Sequence, residues 1–113
     1  MIQVDDSFDG RSVVVHAGEM IEVTLAENAS TGYRWSLPPA RRSKWSPTLR
    51  ELEEVAEARG TRPGMPGVRR LYFEAAVEGN AELELEYRRS WQTSAKPART
   101  FRLRVEVQPV ESR

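Results

Sequence analysis

The side chains able to do covalent or acid–base chemistry are few, because the chain has one histidine and no cysteine. His16 could act as a general base, but it would need a nucleophile to activate or a partner to orient it. No serine stands in a nucleophile-elbow context, and a lone histidine just before Ala17-Gly18 reads more simply as a turn residue. Asp5, Asp6 and Asp9 form an acidic cluster that could face a calcium ion. The regular ligand spacing and the closing glutamate of a calcium loop are absent, so a polar N-terminal segment is the plainer reading. Thiolate and two-histidine metal sites are excluded by composition. Gly64-Met65-Pro66-Gly67 has the glycines of an anion-cradling loop, but Pro66 offers no N–H to an anion. No catalytic residue, metal site or cofactor is expected, and the chain does not read as an enzyme.

Recognition chemistry is better represented. Asn28-Ala29-Ser30-Thr31-Gly32-Tyr33 joins two apolar alternating segments. Asn28 can fold its side chain onto the following backbone and Gly32 can take positive φ, which predicts a stiff tip exposing Ser30 and Thr31. Taken alone it would be a plain interstrand turn. Arg62-Pro63-Gly64-Met65-Pro66-Gly67-Val68 mixes rigid and permissive residues around Met65, suited to close backbone approach or to a mere connector. Arg88-Arg89-Ser90-Trp91-Gln92-Thr93 sets a tryptophan beside arginines at a strand end. That composition dominates interface hot spots, though a tryptophan there could also fold back to cap a core.

These segments are positioned by strands. Period-two alternation puts Ile21, Val23 and Leu25 on one face, then Ala81, Leu83, Leu85 and Tyr87, then Phe101, Leu103, Val105 and Val107. All three read as antiparallel strands with a solvated outer face, to which the ladder Glu82, Glu84, Glu86 is assigned. Further strands are expected at Ser12–Val15, at Gly32–Leu37 before Pro38-Pro39, and around Leu71, Phe73 and Ala75. Residues 49–59 (LRELEEVAEAR) are ambiguous: propensity is compatible with a helix, with Leu49, Leu52, Val55 and Ala56 on one face, and the all-β surroundings favour a strand, which is the expectation. The total is an all-β, immunoglobulin-like sandwich of about seven strands. Lettered A to G, it brings the B–C, D–E and F–G connections, which are the three segments above, to one end. A stiff, shared edge of that kind resembles an antibody paratope anchored by Trp91.

Composition agrees with one globular domain spanning residues 1–113, with 39% hydrophobic and 30% charged residues. Seventeen basic and seventeen acidic residues leave no net charge, which argues against a nucleic-acid partner. No apolar run approaches the roughly 18 residues of a membrane span. The first residues lack the basic and apolar regions of a secretory signal, so the expectation is a cytoplasmic protein or one exported after loss of a leader.

The three segments together resemble the chagasin family of cysteine-protease inhibitors. That family is marked by an Asn-Pro-Thr-Thr-Gly-aromatic loop, a Gly-x-Gly-Gly-like loop and an Arg-Pro-Trp-like loop in this order. They stand here as Asn28–Tyr33, Gly64–Gly67 and Arg89-Ser90-Trp91, with Trp35 just after the first and the spacing held from about Val13 to Val107. The resemblance implies a reversible, non-covalent, competitive inhibitor of papain-like cysteine proteases that acts as a monomer. Ser30, Thr31 and Gly32 would cover the catalytic cysteine, Gly64 to Gly67 would run along one cleft wall, and Arg89 and Trp91 would meet the other. Ala29, Pro66 and Ser90 depart from the pattern: the first loosens its loop, the second removes an N–H, and the third replaces the proline beside Trp91. The competing readings are an immunoglobulin-like binding or adhesion module with no protease target and, further off, a small hydrolase or metal-dependent enzyme.

Overall fold

The computed structural model describes residues 1–58, 67–92 and 96–110. Its strands are β1 (Ile2–Asp5), β2 (Arg11–His16), β3 (Met20–Glu27), β4 (Tyr33–Ser36), β5 (Leu49–Ala58), β6 (Gly67–Ala75), β7 (Gly79–Arg89) and β8 (Arg99–Gln108). Short 3₁₀ turns lie at Asp6–Phe8, Ala29–Thr31 and Pro39–Lys44. The strands form two four-stranded sheets, β1-β3-β6-β5 and β2-β8-β7-β4. Apolar alternation drives the stacking: Ile21, Val23 and Leu25 from β3 meet Leu83, Leu85, Phe101 and Leu103 from the facing sheet in one buried cluster. Each such side chain contributes about 1.5–3 kcal/mol when removed from water. Trp45 closes the flank at the end of the third 3₁₀ turn, its ring edge-on to Phe73 at 5.7 Å.

The structure decides the ambiguous segment in favour of the strand and departs from the sequence expectations at other points. Residues 49–58 form a strand, paired antiparallel to β6 with a bulge between Glu51 and Glu54. A helix there would have left the edge of β6 unpaired, and ladder hydrogen bonding outweighs the modest helix propensity of the segment. Leu52 and Val55, which sequence periodicity would place on a helical face, are exposed. An additional strand, β1, runs parallel to β3 and buries Val4; its alternation is carried by Ile2 and Val4 alone before Asp5 and Asp6, which hid it in the sequence. Two pairings are parallel, β1 with β3 and β2 with β8, so not every ladder is antiparallel.

The glutamate ladder of β7 is not uniformly solvated. Glu84 is 4% exposed because the third 3₁₀ turn lies over it, with Arg41 Nε 2.5 Å from one carboxylate oxygen and Arg102 Nε 2.7 Å from the other. The outer face of β7 therefore carries one structural carboxylate among surface ones.

Candidate functional site

Strand register fixes where the connections leave the sandwich. In one sheet Glu27 at the end of β3 sits opposite Gly67 at the start of β6, and Gly67 sits opposite Ala58 at the end of β5. In the other sheet Tyr33 at the start of β4 sits opposite Arg89 at the end of β7. The two ends coincide: the Asn28 N–H donates to the Tyr87 hydroxyl at 3.0 Å, and Arg89 Nε donates to the Thr31 carbonyl at 3.2 Å. The β3–β4, β5–β6 and β7–β8 connections accordingly emerge together. His16 closes β2 and precedes the start of β3, at the opposite end, with Glu19 3.5 Å away. Among the described residues no cluster of histidine, aspartate or glutamate could hold a metal ion.

The first connection is built by Asn28. Its Oδ1 accepts from the Ser30 hydroxyl at 2.7 Å and the Ser30 N–H at 3.3 Å. Its carbonyl accepts from the Thr31 hydroxyl at 2.7 Å and the Thr31 N–H at 3.2 Å. Ala29–Thr31 is thereby wound into a 3₁₀ turn, with Ser30 and Thr31 exposed at its tip. Gly32 follows at φ +82, a conformation that side chains resist.

The third connection is mounted on a column of rings. Trp35, 1% exposed, packs against Tyr87 at 4.9 Å, and Tyr87 stacks on Tyr33 at 5.3 Å. The Arg89 guanidinium lies over Tyr33 at 4.6 Å and over Trp91 at 5.9 Å. Trp91 is 68% exposed, so it does not cap the core. Its ring passes so close over Gly32 that a Cβ there would lie 2.6 Å from Trp91 Cη2. The backbone angle at position 32 favours glycine, and the Trp91 ring occupies the space a Cβ would take, so the first and third connections are packed on one another.

Beneath them lies a buried ion network. Glu27 and Arg69 are 4% and 7% exposed, and Arg69 Nε donates to Glu27 Oε1 at 2.8 Å. Arg69 Nη1 donates to Glu54 on β5 at 2.5 Å, and Arg34 on β4 reaches the same carboxylate at 3.4 Å. Burial pushes the Arg69 guanidinium down, but its hydrogen bond to Glu27 and the charges of Glu27 and Glu54 outweigh that and hold it above its ordinary value. Glu27 Oε1 also accepts from the Trp35 N–H at 2.8 Å, and Trp35 Nε1 donates to the Ala26 carbonyl at 2.9 Å.

Of the residues singled out by sequence, Asn28, Ser30, Thr31, Gly32, Arg89 and Trp91 are brought into one interlocked group, with Ala29 in the turn and Ser90 exposed beside it. Tyr33 and Arg89 are half-buried supports within the ring column. Gly67 is the first residue of β6 and is buried in the ladder rather than in the loop. Gly64, Met65 and Pro66 lie outside the described residues. Sequence reasoning missed Glu27 and Arg69. The signal was present: each continues the inward register of its strand, two positions from Leu25 and Leu71, with opposite charges.

Two stacked sheets with interacting loops at one end define an immunoglobulin-like sandwich. The family match is more specific: residues 14–105 fit the chagasin family of peptidase inhibitors, I42, and the chain belongs to that family. Its members are inhibitors of peptidases and not enzymes. Among solved structures, the cysteine protease inhibitor EhICP2 from Entamoeba histolytica superposes with TM-score 0.81 at 21% identity, over 95% of each chain. The solution structure of amebosin gives 0.74 at 25% identity, over 96% of this chain and 99% of that one. PbICP-C, solved in complex with falcipain-2, gives 0.62 at 20% identity, over 94% and 89%. Comparison with curated protein sequences gives no match.

Proposed function

We propose that the chain is a reversible, non-covalent, competitive inhibitor of papain-like cysteine proteases, working as a single copy whose three adjacent connections fill the active-site cleft. The observation that carries this reading, beside family membership, is the packing of Trp91 over Gly32. It joins an exposed aromatic anchor to a tip already wound by Asn28, so little freedom remains to be lost on binding. Ser30, Thr31 and Gly32 lie over the catalytic cysteine, Trp91 and Ser90 meet one wall, and the Gly64–Gly67 connection follows the other. Tyr33 and Arg89 hold the first and third connections in place. The likeness to EhICP2 and to PbICP-C bound to falcipain-2 supports a cysteine protease as target. A wedge of this kind needs no cofactor, and an interface on the order of 1,600 Å² would accommodate it.

The test is a titration of papain and a cathepsin-L-like enzyme with the purified protein, with trypsin as control. Tight inhibition of the two cysteine proteases alone is expected, raising KM and leaving kcat unchanged. No inhibition by micromolar folded protein would overturn the reading and leave an immunoglobulin-like binding module in its place.

A further inference from the structure

We infer that Glu27 is a positioning residue for the inhibitory end: its buried carboxylate, held by Arg69, closes the base of the first connection by accepting the Trp35 N–H. The inference rests on the inhibitor reading and adds to it the part of the core that sets loop geometry.

Strand β4 is four residues long and lies at the edge of its sheet. An edge strand has backbone groups with no neighbouring strand to pair them. The Trp35 N–H finds its acceptor in Glu27 Oε1 at 2.8 Å, on β3 of the opposite sheet. Trp35 Nε1 adds a second tie at 2.9 Å to the carbonyl of Ala26, the neighbour of Glu27. The first connection and the start of β4, residues 28–34, are thus pinned at their base by two hydrogen bonds, one of them to a carboxylate and so of the stronger kind.

A carboxylate with 4% exposure needs a counter-charge, and Arg69 supplies it from β6. Arg69 stands two residues beyond Gly67, where β6 emerges from the second connection, and its other nitrogen grips Glu54 on β5, the strand entering that connection. The same network therefore ties the base of the first connection to both strands flanking the second. A purely apolar core would fill this volume without fixing that relation, since packing constrains volume more than register. None of the three groups needs to touch the protease.

Removing the charge on Glu27 should loosen the connection and lower the fraction of molecules ready to bind, and apparent affinity falls with that fraction. The experiment compares the parent protein with Glu27→Gln, which preserves shape, by amide hydrogen exchange and by papain inhibition kinetics. Exchange at residues 28–33 should rise about tenfold, as expected for loss of a charge-assisted hydrogen bond, while amides of Leu83, Leu103 and Val105 keep their protection. The inhibition constant should rise by about the same factor, mainly through slower association. Unchanged exchange at 28–33, or a uniform rise through both sheets, would overturn the inference, the latter by showing a role in global stability only. Should Glu27→Gln fail to fold, Arg69→Lys keeps the charge but cannot span Glu27 and Glu54 together, and the same readouts decide. If the parent does not inhibit, the inhibitor reading falls by itself, and the exchange comparison still judges the positioning role.

Discussion

Gly32→Ala separates the contribution of loop geometry from that of the anchor. At φ +82 an alanine carries a left-handed penalty of about 1 kcal/mol, which for a domain of this size lowers the melting temperature by about 4 °C. Its Cβ would also lie 2.6 Å from Trp91 Cη2 and 3.2 Å from Cζ3. Those atoms are the far end of a side chain that is 68% exposed, so the ring can swing aside without straining the fold. The larger cost falls on binding, because the anchor leaves its position; a hot-spot tryptophan contributes about 2 kcal/mol or more, roughly thirtyfold. Inhibition constants against papain and thermal unfolding should be measured for Gly32→Ala, Trp91→Ala and the double variant. The two singles should each weaken inhibition about thirtyfold, while the double should inhibit about as well as Trp91→Ala, because the φ penalty falls on folding and is read in the melting temperature. Fully additive losses, or a Gly32→Ala protein that inhibits as well as the parent, would refute the idea that Gly32 serves as the seat of Trp91.

Glu84→Gln should cost about 1–2 kcal/mol in urea unfolding, less than for a fully buried pair because Arg41 and Arg102 are themselves partly exposed, and should leave inhibition unchanged. Thr31→Arg should abolish measurable inhibition in the same titration while the melting temperature moves by no more than a few degrees, since Thr31 is exposed at the tip. Asn28→Ala removes the acceptor for the Ser30 N–H and hydroxyl and should weaken inhibition about five- to tenfold; Asn28→Asp, which keeps that acceptor, should restore most of it.

How much of this was legible follows from the range over which each interaction acts. Alternation along β3, β7 and β8 is a local pattern, and the three strands and their inward faces read directly from it. The segment 49–58 did not, because its helix formers are local whereas the β6 edge that captures it lies across the second connection. Glu84 misled for the same reason: only the packed 3₁₀ turn at Pro39–Lys44 turns a surface position into a buried one. Trp91 left two readings open in the sequence, and the choice was made by Gly32, almost sixty positions away, which offers a place for the ring outside the core.

The alanine at position 29 shows how local and distant effects trade. The resemblance to the family pattern, with proline there, implied a looser first connection. Proline stiffens a loop by restricting the unfolded chain, not by adding contacts to the folded one. Here the Asn28 side chain and carbonyl together take four hydrogen bonds from Ser30 and Thr31. Trp91 packs over Gly32 from above, and Glu27 and Ala26 close the base through Trp35. The restraint has moved from one ring to three sides of the turn. A loop held by hydrogen bonds and packing is rigid only while its scaffold is intact. Its stiffness is therefore tied to β3, β4 and β7, and a defect in those strands should reach the inhibitory tip before it unfolds the sandwich.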